Sequence, residues 1–183
     1  MKEMKIKRVT QKREKGQSLT ELSITMTLVL ILLAGVADIG RAFFTYISLR
    51  DAAQEGALYG SFAFSTADPS GAPNALINPG VACTRIADRI RQNSNAPVDL
   101  ASDATISVQI AKATGSSVWV NCTSSMTIQP CAYDRIRVAV SFDDFTLSTP
   151  FLGTLIGTQS VDITAAVEDT ILAPAGSQTT RCP

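Results

Sequence analysis

From Leu22 to Ala37 the chain runs sixteen residues in which only Ser23, Thr25 and Thr27 are polar. Extended to Gly40, the run covers ~28 Å at the helical rise, against a hydrocarbon core of ~30 Å, so it predicts a membrane-spanning helix. The three hydroxyls can return hydrogen bonds to the carbonyls one turn back, which makes them tolerable in lipid. Asp38 and Arg41, three apart and therefore on one face, are expected to pair and to mark the outer membrane boundary. The helical period continues past them. Ala42, Tyr46, Leu49, Ala53, Gly56 and Gly60 recur at steps of three and four, with Arg41, Thr45, Ser48, Asp51 and Glu55 on the other side. Ala53, Gly56 and Gly60 form a small-residue end that lets another element approach closely, at a cost of ~2 kcal/mol of helix propensity for the two glycines. The protein's own sheet is the expected neighbour, and a second helix is the alternative. Asp68-Pro69-Ser70-Gly71 should stop the helix.

Residues 65–80 are rich in Pro, Ser, Gly and Asn and read as a surface loop. Asn78-Pro79 has the form of an N-cap followed by proline in the first helical position. An amphipathic helix should follow over 80–93, with Val81, Ile86 and Ile90 inward and Arg85, Arg89 and Arg91 on a solvated face. The period then changes to two. Ile106, Val108 and Ile110 alternate with polar residues, Val118-Trp119-Val120 resumes extended structure after a turn, and Ile136, Val138, Val140 and Phe142 alternate with Arg135, Arg137 and Ser141. Val161, Ile163, Ala165 and Val167 repeat the pattern. Alternation of this kind predicts an antiparallel sheet with one wet face, whose dry face the stripe of the long helix can cover. Asp143-Asp144, after Phe142, reads as a turn ending a strand. The tail after Ala173 has loop composition.

Charge sharpens the picture. Residues 1–16 hold seven Lys/Arg against Glu3 and Glu14, while the remainder holds nine basic against fourteen acidic residues. A basic leader before an apolar run is the positive-inside arrangement and keeps residues 1–16 cytoplasmic. The acidic remainder argues against nucleic acid as a partner. No histidine occurs among the 183 residues, which removes imidazole metal ligands and Ser-His-Asp or Cys-His nucleophiles. Cys83, Cys122, Cys131 and Cys182 all follow the apolar run, an even count on the outer side that suggests disulfides in any of three connectivities. Cys122 and Cys131 are near enough to close a small loop, leaving Cys83 with Cys182; free thiols are the alternative. Neither a zinc spacing nor a phosphate loop or nucleophile elbow is present, so no cofactor, metal, catalytic residue or small-molecule substrate is expected.

The start of the chain admits three readings. It can be a secretory signal cut after Gly35-Val36-Ala37, an uncleaved anchor, or a leader removed on the cytoplasmic side of the apolar run so that the helix survives. The basic leader, Gly16 and then Gln17-Ser18-Leu19-Thr20-Glu21 resemble the type IV prepilin pattern. More narrowly, GVADIGRAFF followed by DAAQEGALYG is similar to the TadE-like pseudopilins of tight-adherence (Flp) pilus systems. Gly35, Asp38, Gly40 and Arg41 match the first motif, and Ala52, Ala53, Glu55, Gly56 and Ala57 match the second. Gln54 and Leu58 stand where arginines are usual, and Thr27 where a mid-membrane proline is common. The motif-bearing match covers about 50 residues, and the downstream strands agree with a family domain only in outline. The resemblance implies cleavage between Gly16 and Gln17 by a prepilin peptidase, and a role for Glu21 in pairing with an α-amine and setting register during assembly. A carboxylate just inside a bilayer costs up to roughly 3 kcal/mol, which favours such a partner. A snorkelling interfacial glutamate on a plain anchor is the alternative.

The expected fold is α+β: a long N-terminal transmembrane helix continuing into an outer domain with a roughly four-stranded antiparallel sheet, pilin-like in outline. The expected division is a leader at 1–16, a transmembrane helix at 17–40, its extracytoplasmic continuation at 41–64, and an outer domain with a loose tail at 65–183. The expected protein is a non-enzymatic minor pilin or pseudopilin in the cell membrane, its N-terminus cytoplasmic. Its partners would be the membrane, the prepilin peptidase, other pilin-like subunits and the pilus assembly machinery. Alternatives are a membrane-anchored binding or adhesion module and a major pilus subunit.

Overall fold

The structure, a computed structural model, describes residues 15–64, 78–93, 98–113, 118–126, 130–149, 153–154 and 156–172. The fold is α+β, as the periodicities predict. Helix α1 spans Lys15–Ala63 and α2 spans Pro79–Asn93. Strands β1 (Ala104–Ala111), β2 (Val120–Asn121), β3 (Arg135–Thr146) and β4 (Ser160–Thr170) form one antiparallel sheet in the order β2-β1-β3-β4. Of the loop read from composition over 65–80, residues 65–77 lie outside the described residues, and Pro79 and Gly80 belong to α2. The tail after Ala173 also lies outside them.

Helix α1 has 49 residues and so extends ~73 Å, more than twice a bilayer core. Its two ends live in different surroundings. Residues 18–33 are exposed without exception, whereas Leu49, Ala52, Ala53 and Ala57 are buried in the core with Ile86 and Ile90 of α2 and Ile136, Val138 and Val140 of β3. Helix α1 lies across β3 and β4, and α2 packs beside it and against β1. The sheet's dry face is therefore covered by two helices, of which the sequence pattern singled out one. At the far end the carbonyl of Ser61 accepts the Leu172 N–H at 2.9 Å, which ties the last turn of α1 to the segment after β4.

Helix α2 begins as its sequence dictates. The Asn78 side chain accepts the Gly80 N–H at 2.9 Å, and the Asn78 carbonyl accepts from Val81 and Ala82. Its buried row is Ala82, Cys83, Ile86 and Ile90, and Val81, expected inward, is 45% exposed. Val81 precedes Ile86 by five residues, well off a whole number of turns, whereas Ala82 precedes it by four.

Three further expectations change. Thr45 is buried and Tyr46 is 40% exposed, the reverse of the predicted sides. The buried row runs Asp38, Thr45, Leu49, Gly56 and Gly60; steps of seven and eleven residues from Asp38 to Thr45 and from Thr45 to Gly56 are close to two and three full turns. Asp143-Asp144 does not end a strand. Phe142 pairs with Ile163 and Phe145 with Val161, so one extra residue bulges within β3, with Asp144 in the left-handed region at φ 65°. Finally, Cys122 pairs with Cys83, not with Cys131. Antiparallel pairing of Gln109 with Asn121 sets Cys122 at the sheet edge under α2, so the bridge staples α2 to that edge across 39 residues of sequence. Cys131 is also disulfide-bonded. Cys182 lies outside the described residues.

Candidate functional site

The sequence motifs all lie on α1, and the helix separates them by height. Gly16 and Gln17 fall in its first turn, and Glu21 follows about one turn later on the exposed segment. Asp38 stands ~25 Å further along the axis, and Gly60 ~33 Å beyond that. The structure thus brings none of the three groups together; each meets different surroundings.

In the exposed segment the helix satisfies its own hydroxyls. Ser23 donates to the Thr20 carbonyl at 2.8 Å, Thr25 to Glu21 at 3.0 Å, and Thr27 to Ser23 at 2.8 Å. With those groups turned inward, the surface from Leu22 to Leu33 is hydrocarbon, carried by Leu22, Ile24, Met26, Leu28, Leu30 and Leu32 at more than half exposure. Among the described residues this is the one helix long and apolar enough to cross a membrane.

Asp38 is where sequence reasoning saw half of the arrangement. Its pairing with Arg41 exists, at 3.5 Å, but Arg41 is 54% exposed while the Asp38 side chain is 2% exposed. A carboxylate so buried needs donors on its remaining lone pairs, and they come from a segment 110 residues away. The Ser148 N–H donates to Oδ1 at 3.2 Å, the Thr149 N–H to Oδ2 at 2.9 Å and the Thr149 hydroxyl to Oδ2 at 2.7 Å. Arg41 also donates to the Ser148 hydroxyl, and its guanidinium sits 5.4 Å from the centroid of Phe145. Asp38 is therefore a clasp that holds the connection between β3 and β4 against the helix. The only hint of this in the sequence is the absence of charge from Leu147 to Val161.

The small residues of the second motif answer to steric need. A Cβ added at Gly56 would stand 2.5 Å from Cγ1 and 2.6 Å from Cδ1 of Ile90, and one at Gly60 would overlap Cδ1 of Ile136. Gly56 admits α2 and Gly60 admits β3, so both glycines, with the buried Ala53, face the protein's own domain. Glu55, on the same turn, accepts from Arg89 of α2 at 2.8 Å. Gly40 is different: a Cβ there meets nothing within 4 Å.

A second buried carboxylate, Asp134, was not foreseen. It accepts the Ala113 N–H at 2.9 Å and the Cys131 N–H at 2.8 Å, with Lys112 at 3.7 Å, and so fixes the turn that leads into β3. On the wet face of the sheet Arg135 and Arg137 lie 5.1 and 5.9 Å from the Trp119 ring centroid, and Arg137 faces Glu168 across the β3–β4 pairing. Two of the arginines predicted on the solvated face of α2 are engaged there in surface ion pairs, Arg89 with Glu55 and Arg91 with Asp88.

No curated protein and no solved structure matches the chain. The family model described as TadE-like protein matches residues 16–58, from the glycine before the apolar run to the end of the Ala-Ala-x-Glu-Gly-Ala turn, so that the stretch carrying both motifs is similar to that family, as its residues led one to expect.

Proposed function

We propose that the chain is a non-enzymatic minor pilin or pseudopilin that takes part in assembling a Tad-type (Flp) surface pilus for adherence or secretion. One observation carries the reading: the TadE-like match ends within the same helix that begins with an uncovered apolar segment and ends as the spine of a folded domain. A helix of this kind needs two environments, a bilayer or neighbouring helices around residues 18–33 and the outer domain around its second half. The leader 1–16 stays on the cytoplasmic side and the domain outside, as the basic residues before the apolar run favour.

In this reading a prepilin peptidase cuts between Gly16 and Gln17. The new α-amine of Gln17 lies about one turn before Glu21 and neutralises it, in the same subunit or in its neighbour, which offsets the roughly 3 kcal/mol cost of a carboxylate at the membrane edge. Gln17–Ala37 forms the contact with other pilin-like subunits. N-terminal sequencing of the mature protein tests the processing: Gln17 supports the proposal, while Asp38 or Met1 overturns it. Glu21→Leu tests the role of the carboxylate. The variant should insert in the membrane as the parent does and fail in pilus assembly; normal pilus assembly by this variant removes the register role.

A further inference from the structure

The apolar surface of α1 does not stop at the boundary that Asp38 and Arg41 suggested. Ile39, Phe43 and Phe44 are 66%, 59% and 66% exposed, and Tyr46 and Ile47 are 40% and 36% exposed. From Leu19 to Ile47 the run of exposed apolar side chains, interrupted by the exposed Glu21 and Arg41, therefore extends over ~42 Å. To lie within the ~30 Å hydrocarbon core alone it would have to tilt by ~45°, beyond the usual range of roughly 0–40°. It does match the ~40–45 Å of core plus both headgroup layers. Aromatic residues at 43, 44 and 46 then fall in the outer interface, where amphipathic rings such as that of Tyr46 are enriched.

The outer domain descends into the same layer. Asp38 holds Ser148 and Thr149 at a level ~13 Å below Ile47. One turn lower still, Ala34 and Gly35 are half-buried while Val36 and Ala37 around the helix are exposed. The connection that Asp38 holds has no charged residue from Leu147 to Val161, and its Ile156 is 57% exposed. A cleft of about 580 Å³ between helix and β3 is lined by Phe44, Phe142 and Phe145 together with the charged Arg41 and Asp144. A surface that is continuous with the apolar span, lacks charge from Leu147 to Val161 and ends in exposed aromatic side chains is complementary to lipid: acyl chain below, the interface at the level of Phe43 to Ile47.

We infer that the lower face of the outer domain, formed by Ile39, Phe43, Phe44, Ile47 and Ile156, is a lipid-contact surface that seats the domain in the outer leaflet. The Asp38 clasp is what holds the β3–β4 connection at that depth, its carboxylate shielded from lipid by the donors that surround it. This rests on the proposed membrane anchoring of α1 and goes beyond it by setting the depth of the domain.

Trp119 is the chain's single tryptophan, and Trp119→Phe frees the signal for placed reporters. In that background Phe44→Trp, Ile156→Trp, Leu30→Trp and Leu58→Trp, each as the full chain, go into vesicles of phosphatidylcholine and phosphatidylglycerol containing lipids brominated at shallow or deep positions. Phe44→Trp and Ile156→Trp should emit at shortened wavelength and lose most of their emission to the shallow bromines. Leu30→Trp should lose it to the deep ones, and Leu58→Trp to neither. Quenching of Leu30→Trp with none at 44 and 156 overturns the lipid contact and leaves the anchor standing. Absence of quenching at all three sites overturns the anchor itself. If 44 and 156 are unquenched but emit at short wavelength only at high protein density, the occupant is a second copy, which also overturns the proposal. Formation of the Cys83–Cys122 bridge in each variant verifies that the domain has folded.

Discussion

Replacing Asp38 by alanine separates the two accounts of that residue. If Asp38 chiefly pairs with Arg41, then Asp38→Ala and Arg41→Ala should cost the same. The geometry says otherwise. Asp38 accepts three hydrogen bonds from the 148–149 segment at 3.2, 2.9 and 2.7 Å and is 2% exposed, while the Arg41 contact is 3.5 Å long and its cation is half in solvent. Hydrogen bonds to an ionised acceptor contribute about 1.5–3 kcal/mol each, and three at one residue are not additive, so a loss of ~3 kcal/mol or more is expected for Asp38→Ala. The half-exposed ion pair of Arg41 contributes ~1 kcal/mol at most. Its Ser148 hydrogen bond and Phe145 contact add about as much again, so Arg41→Ala should cost ~2 kcal/mol or less. Asn at 38 retains one acceptor oxygen and should fall between the two. The clasp holds a connection rather than the core, so the loss should appear as local opening. Amide exchange of the full chain in detergent micelles reads it: the Ser148 and Thr149 amides should exchange ~100-fold faster in Asp38→Ala, while amides at the centre of β3 change little. Unchanged exchange at Ser148 and Thr149, or an Arg41→Ala variant that matches Asp38→Ala, refutes the clasp.

Two other expectations concern the outer domain. Under non-reducing conditions peptide mapping should recover Cys83 linked to Cys122, and Cys83→Ser with Cys122→Ser should lower stability by ~4 kcal/mol on the chain-entropy estimate for a separation of 39 residues, read as a fall in the urea midpoint. A Cys122–Cys131 peptide would contradict the arrangement of α2 over β2. Glycines of α1 should divide by their neighbours: Gly40→Ala, which meets nothing within 4 Å, should gain up to ~1 kcal/mol in helix stability. Gly56→Ala should gain nothing or lose ~1–2 kcal/mol because Ile90 must leave its place, and equal thermal melting shifts for the two would contradict the packing.

Much of this protein can be read locally. An uncharged run from Leu22, a period near 3.6 that continues past Arg41, an Asn-Pro start at 78 and alternation over 135–142 and 161–167 each dictate their element from neighbouring residues alone. The hydroxyls of Ser23, Thr25 and Thr27 likewise bond within the helix, as spacing requires. The family signature at 16–58 is also local, since one continuous helix carries it. Small residues at 53, 56 and 60 announced a close approach but not by what.

What spacing could not decide is everything that joins distant segments. Whether Gly56 meets a foreign helix or Ile90 depends on α2 crossing α1, and the buried side of α1 was turned toward Thr45 because the sheet and the Asp38 clasp selected that face. Cys122 lay nine residues from Cys131 but found Cys83, since a strand pairing and a helix crossing fix which sulfurs can approach, whatever the length of chain between them. Asp38 shows the division most clearly. Its neighbour Arg41 is visible in the sequence because a helix places residues three apart on one face, whereas Ser148 and Thr149 become its donors only when the β3–β4 connection folds back along the helix. The order of residues alone was enough to specify a membrane-suited helix running into an α+β domain. Which groups satisfy its buried charge was settled by packing, because a buried carboxylate draws its donors from whatever backbone the fold brings within ~3 Å, and that backbone carries no signature in the chain.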